Sequence, residues 1–390
     1  MSDTNRVGLR YIKETTAGTT PTGELAVLPF TGSSDLGFTP ETTTSNIIRS
    51  DRQVSDLVLV NGTVGGGFDT ELIAGTALDS MLDGVMFSDT TLASQTATET
   101  VTASSVTITD VVGGTTLAAT GIATGVVVGD ILKVEVGTET AIAAVTARVD
   151  ADECTISCAM TATGSVTATV TRLPSISNGV TQSSYTMERT YRTGEGADEF
   201  KEYLRGMVPG TFSMSAAASS IVESSFSFIG QTQAFETELA GMTRPAAPAF
   251  GVYNSASNVA TIAIGGEPMG NNFVMEASIE IENNLRERNA LGTLGAISVG
   301  AGEFSVTGSL NTYFNNSDLI QKVIDNSETS LTLSFNSGDE SITFFLPRVK
   351  FSEGTPDVSG KNEDVMAAIS FQAILDETTG YTLAIAKNVA

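Results

Sequence analysis

The stretch VNGTVGGGFDTEL, Val60 to Leu72, decides how the chain is read. Three consecutive glycines precede an alternating run in which Phe68, Thr70 and Leu72 share one side. A glycine-rich turn can cradle a phosphate, or it can let one strand bend into the next. A second copy of the stretch decides between them. SNIIRSDRQVSDLVLVNGTVGGGFDTEL (Ser45 to Leu72) is echoed by NNLRERNALGTLGAISVGAGEFSVTGSL (Asn283 to Leu310). Arg49 stands 19 residues before Phe68, and Arg286 stands 18 before Phe304. Each copy then shows a glycine-rich turn and a strand period, carried in the second by Phe304, Val306, Gly308 and Leu310. A phosphate loop opens a helix, and here a strand follows. The glycines are therefore expected to form a sharp turn or bulge between strands, in the slot that VGAGEF fills in the second copy.

The parallel extends along the chain. TALDSMLDGVMF (Thr76 to Phe87) puts Leu78, Met81, Leu82 and Val85 on one helical face, with Thr76 and Asp79 at capping-box spacing. Asn316 to Asn326 does the same with Leu319, Ile320, Val323 and Ile324, with Ser317 as the N-cap. Strand-like segments follow in both, SSYTMERTY from Ser183 and TSLTLSFN from Thr329. SSFSFIG (Ser224 to Gly230) then parallels AAISFQAI (Ala367 to Ile374). This order describes two copies of one β-rich module, each with a short helix against its sheet.

One interruption separates the copies. Between the first helix and SSYTMERTY lies a Thr/Ala/Val/Gly-rich interval whose alternating runs read as five or six short strands. We expect a first module at 1–94 and 176–241, a small β domain inserted at 95–175, a linker at 242–262 and a second module at 263–390. Phe212, Phe226, Phe228, Phe335, Phe344, Phe351 and Phe371 lie in alternating runs and are expected in the sheet core.

Composition narrows the function. The chain has 390 residues, 45 acidic against 20 basic, for a formal charge of −25, with no histidine and no tryptophan. Such a chain offers no general basic footprint for DNA or anionic membranes. The charge fits an acidic wall past which nucleic acid moves without sticking, and equally a solvated exterior. Without histidine there is no Ser-His-Asp or Cys-His pair, so no enzyme and no cofactor is expected. Asp339-Glu340 and Glu363-Asp364 read as solvated turns, and Asp150-Ala-Asp152-Glu153 lacks the spacing of a calcium loop. Cys154 and Cys158 read as reduced hydrophobes on one face of a strand, too far apart for a disulfide. The N-terminus shows no apolar secretory region, and no run approaches a membrane span, so assembly in a cytoplasm is expected.

The opening residues, with Tyr11, Glu14 and Gly18 in a Tyr-x-x-Glu-x-x-x-Gly turn and Arg49 to Arg52 after it, resemble the start of tail tube proteins of long-tailed (siphovirus-type) bacteriophages. The closing segment, with Pro347-Arg348 and the Asn362-Glu363-Asp364 turn, is similar to that family's last strands. The resemblance implies a mainly β fold of two tandem tail-tube β-sandwich modules, each with a flanking short helix, the small all-β domain inserted in the first. It implies trimeric, pseudo-hexameric rings stacked into a hollow conduit for genome ejection. The partners would be further copies, the tape measure protein, terminator and baseplate or tip proteins, and genomic DNA in transit. The location would be the virion tail. Arg49, Arg52, Arg286 and Arg288 are the candidate inter-subunit contacts, against a bland reading as exposed loop charge. The rival function is a host-surface-binding β protein in which the inserted domain carries recognition.

Overall fold

The computed structural model describes residues 6–32, 34–92, 98–111, 114–137, 139–192, 199–236, 238–265, 267–269, 273–315, 317–337, 340–358, 360–361 and 363–388. Asn316, Asp339 and Asn362, singled out above, fall outside them. The chain begins with β1 (Gly8–Lys13), β2 (Gly23–Glu24), β3 (Ala26–Leu28), β4 (Gly37–Thr44), β5 (Leu57–Glu71) and α1 (Asp79–Met86). Next come β6 (Thr98–Val111), β7 (Gly114–Ala118), β8 (Ile131–Val136), β9 (Glu139–Arg148), β10 (Glu153–Ile156), β11 (Gly164–Arg172) and β12 (Ser175–Ser177). β13 (Tyr185–Arg192), β14 (Glu199–Ala217), β15 (Glu223–Gly230), β16 (Thr232–Glu236) and β17 (Met242–Thr243) follow. The rest is β18 (Val259–Ile264), β19 (Glu267–Pro268), β20 (Val274–Glu282), β21 (Arg286–Arg288), β22 (Ser298–Gly300), β23 (Ser305–Tyr313), α2 (Asp318–Ile324), β24 (Glu328–Ser337), β25 (Glu340–Asp357), β26 (Met366–Ala373) and β27 (Ala384–Asn388).

Strand pairing repeats. β4–β5, β5–β15, β15–β14 and β14–β13 have the counterparts β20–β23, β23–β26, β26–β25 and β25–β24. β14 and β25 are long because each serves two sheets. Its first half pairs with β13 or β24, and its second half, past a bulge at Gly210 or Ser352, pairs with β15 or β26. The bulge bends the strand and so turns one strand into the corner of a sandwich. Between the layers lie the phenylalanines. Phe68 stacks on Phe226 at 5.5 Å and on Phe228 at 5.8 Å, and Phe212 meets Phe226 at 4.9 Å and Phe344 at 6.1 Å. Every phenylalanine expected in the core is buried.

The registers correct the alignment of the two copies. Phe68 faces Phe226 as Leu310 faces Ile369, and Gly66 faces Phe228 as Gly308 faces Phe371. Phe68 therefore corresponds to Leu310, six positions beyond Phe304. The glycine run is no turn. It lies inside β5, opposite Ser227 to Ile229, where Gly66 adopts φ +108° and passes so close to Asp35 that a Cβ would sit 2.5 Å from the Asp35 carbonyl oxygen. Glycine alone takes that conformation without strain.

Local anchors account for other motif residues. The buried Glu14 carboxylate accepts hydrogen bonds from the Gly18 N–H (2.8 Å), the Ser184 and Thr186 hydroxyls (2.7 Å each) and the Gly206 N–H (2.9 Å). Tyr11 packs edge-on against Tyr185. The expected capping box is absent: the N-cap of α1 is Leu78 with no side-chain cap, and Asp79 instead pairs with the buried Lys387 of β27. In α2 only Leu319 is buried, and Ser317 caps without a side-chain hydrogen bond. The stretch read as a linker is fastened down, with Arg244 bound to Glu188 and Tyr253 fully buried.

Strands β6 to β11 close into a barrel in the order β10-β7-β6-β11-β8-β9. Cys154 and Cys158 are free thiols in its core. The barrel interrupts the first module in sequence but docks on the second in space. Ile131, Ile142 and Ala144 pack against Phe345, Tyr381, Ala384 and Ala386, and the Tyr381 hydroxyl donates to the Gly129 carbonyl at 2.8 Å. Alternation along β25 then fixes the layers. Phe344 points into the sandwich and Phe345 points out to the barrel.

Candidate functional site

Eight strand segments run edge to edge as β4-β5-β15-β14-β20-β23-β26-β25. The central joint is β14 against β20, where Thr211 to Ala217 pair with Glu282 to Glu276. That joint crosses between the modules, because β14 belongs to the first and β20 to the second; the pairing of β12 with β27 crosses as well. One face of this sheet is the core. The other, set by the alternate residues, is mostly polar, with Ala217, Met366 and Ala368 as its apolar members. Its centre is a hydroxyl ladder: Ser213 with Ser225 and Ser278 with Ser309, each at 2.8 Å. Around the ladder stand carboxylates, among them Asp69, Glu71, Glu223, Glu276, Glu280 and Glu282. The segments 63–71, 211–217, 223–227, 276–282, 305–312, 353–357 and 366–372 contain no lysine or arginine at all. Lys350, at one end, is spoken for by Glu328 at 3.5 Å.

This face lies on the opposite side of the second module from the barrel, with both sheets and the core between them. It is the surface that the sequence reading missed. Its signal was present as small polar and acidic residues alternating with aromatics, but only the pairing across modules makes it one surface.

Both ends of the sheet are open. The second half of β25 is paired to β26 on one side only, and its residues Glu353, Thr355, Pro356 and Asp357 are exposed. The equivalent half of β14 is covered by β20, and Met214, which corresponds to Pro356, is buried. At the other end β4 and residues 34–36 bond to β5; Arg189 donates to the Ser34 and Leu36 carbonyls on their outer edge, and among the described residues no strand pairs with that edge. An unpaired edge is a template for another strand.

The two long hairpins differ. That of the second module breaks after Glu282, where Asn283 donates to the Val85 carbonyl at 2.8 Å, and folds back as the β21–β22 ribbon. Val299 thereby packs on Phe87 and Val208 of the first module. The first module's hairpin stays paired out to Thr44 and Leu57 and exposes Leu57, Val58, Leu59 and Val60, with Ile48 98% exposed beyond them. Arg49 binds Asp51 of its own loop at 2.6 Å, and Arg52 takes φ +59°. Arg286 and Arg288 are exposed on β21, the latter lying over Gly300. Counting on from Glu282, which matches Thr39, Arg286 falls level with Thr43. The arginines are thus not equivalent pairs: Arg49 and Arg52 lie in the loop between β4 and β5, and Arg286 and Arg288 lie on β21.

Candidate chemistry elsewhere resolves into structure. Asp150 accepts from the Asp152 N–H and Asp152 from the Gly121 N–H, both at 2.7 Å, so these carboxylates cap turns. Among the described residues no cluster of His, Cys, Asp and Glu is arranged to hold a metal, and no helix is long and apolar enough to cross a membrane. A family model described as phage tail tube protein matches residues 4–373. No curated protein matches the chain.

Proposed function

Since the chain belongs to the phage tail tube protein family and is a structural component of the virion tail, we propose that it polymerises as stacked trimeric, pseudo-hexameric rings. The rings build the hollow conduit through which the genome is ejected. The observation that carries this is the β14–β20 joint. It joins two copies of one module edge to edge, and it leaves an edge of each of the same two kinds without a paired strand at the ends of the sheet. Repeating the joint between chains uses both edges, and three chains supply six modules. A joint used head to tail closes into a ring when its rotation permits.

In that ring the polar face lines the bore and the barrel rides outside. A wall without basic groups gives a passing polyanion no counterion-release binding, and its carboxylates repel phosphate. The exposed apolar hairpin of the first module is a contact surface for another copy, beside which Arg49 and Arg52 stand. Tape measure, terminator and baseplate or tip proteins meet the bore and the tube ends. The first test is negative-stain electron microscopy of the purified protein over rising concentration. Hollow tubes with three-fold rings and external knobs are expected. Rings of another symmetry, or barrels projecting into the bore, overturn the reading.

A further inference from the structure

The joint within the chain is a template for the joint between chains, and the two differ in charge. Matching bulges at Gly210 and Ser352 make Thr211 to Ser215 equivalent to Glu353 to Asp357. Pairing to β5 and to β23 makes residues 35–39 equivalent to 278–282, since Gly37 faces Gly65 as Glu280 faces Thr307. The internal register then converts residue by residue. Thr211 opposite Glu282 becomes Glu353 opposite Thr39, and Ser213 opposite Glu280 becomes Thr355 opposite Gly37. Ser215 opposite Ser278 becomes Asp357 opposite Asp35.

Inside the chain every carboxylate of the joint faces a hydroxyl or a methyl group. Glu282 faces Thr211, Glu280 faces Ser213 and Glu276 faces Ala217, while the Ser215 hydroxyl reaches Glu276 at 3.3 Å. Between chains the same register sets two carboxylates face to face. Asp35 has the Gly67 N–H on one oxygen, and Arg189, which holds the Ser34 and Leu36 carbonyls from the other side, is engaged by Glu202 at 2.7 Å. The strand segments 35–39 and 353–357 themselves contain no lysine or arginine.

We infer that the edge Glu353–Asp357 takes residues 35–39 of a second copy in the register of the internal joint, and that the Asp35–Asp357 pair opposes closure. This rests on the ring reading above. Like charges directly opposite on one face weaken strand pairing, and the repulsion is screened by salt. Free subunits are thereby held apart at low ionic strength while the internal joint, free of such a pair, stays closed.

Two measurements on the full chain test it. In the first, Gly37→Cys/Thr355→Cys is oxidised under assembly conditions, with Gly37→Cys/Asp357→Cys as the offset control. Gly37 has room for a side chain, and directly opposed residues suit a disulfide. Cross-linking between chains by the first pair and not the second is expected. The reverse pattern, or neither pair linking in visible rings, overturns the register. In the second, ring and tube yield is followed by sedimentation from low to high salt. Wild type is expected to need salt, and Asp357→Ser to assemble without it, with about fivefold tighter association per joint, or ~1 kcal/mol. Unchanged salt dependence in Asp357→Ser, with the cross-link intact, overturns the charge gate and leaves the rings standing. Failure of every variant and wild type to form rings counts against the ring reading itself.

Discussion

Lys387 reaches from β27 near the end of the chain into the first module, where its ammonium donates to Asp79 of α1 and to the Gly75 carbonyl. Lys387 and Asp79 are both buried. Lys387→Met leaves a buried carboxylate without its counter-charge, a change that costs about 3–5 kcal/mol. Lys387→Met/Asp79→Leu removes both charges and leaves only the Gly75 carbonyl unpaired, at about 1–3 kcal/mol. The double variant is thus expected to be more stable than the single one by ~2 kcal/mol. Thermal unfolding reads this directly. For a chain of this length unfolding as one unit, ~4 kcal/mol lowers Tm by roughly 5 °C. A double-mutant cycle, completed by Asp79→Leu, isolates the coupling. Additive losses, with a coupling under ~0.5 kcal/mol, would refute the pair as the bond that ties the chain's end to its first helix.

Asp83, one turn along α1, accepts the Leu92 N–H at 3.0 Å, and burial pushes its carboxyl up to about 6, with Asp79 adding to the rise and Lys13 and Lys387 opposing it. The folded protein therefore holds this proton more tightly than the unfolded chain. The contribution is full below about pH 4 and lost as pH rises through about 6, up to ~3 kcal/mol in all. Asp83→Asn is expected to flatten that part of the Tm–pH curve, and an unchanged slope contradicts it. Gly66→Val forces a β-branched residue into φ +108° against the Asp35 carbonyl. A loss of at least ~2 kcal/mol is expected in denaturant unfolding, and a neutral result would mean that β5 and residue 35 are not in contact. Arg286→Ala/Arg288→Ala is expected to leave Tm within about a degree, because exposed charges contribute little to folding. The same variant is expected to reduce tube length by electron microscopy. Wild-type tubes from it would return these arginines to the status of solvated loop charge.

What was legible in the sequence was local and periodic. Alternation placed the phenylalanines in the core, and the order of segments exposed a duplicated module. What failed was register. GGGF and GAGEF look alike, so the copies were matched through Phe68 and Phe304, whereas cross-strand pairing matches Phe68 to Leu310. Strand register is fixed by partners far along the chain, 158 residues away for Phe68 and 59 for Leu310, and similarity of short stretches does not report it. The same slip made Arg49 and Arg286 look equivalent. Asp79 sat at capping spacing from Thr76, yet a lysine 308 residues later had the stronger claim on it. The polar face was invisible for the same reason, since no single strand contains it.

Duplication within one chain has a consequence for what the outer layer displays. Tyr203, opposite Glu188, and Phe345, opposite Thr332, occupy equivalent positions beside matching bulges in their own strands, yet they face different neighbours. Tyr203 joins Arg244 and the buried Glu188, whose carboxyl burial would raise but Arg244 holds below the usual range. Phe345 receives the barrel. A wall made of single-module subunits must repeat whatever decorates one of them at every position. Fusing two modules breaks that identity: one copy specialises as a clasp and the other as a pedestal, and in the proposed ring the decoration would appear at half the density of the wall.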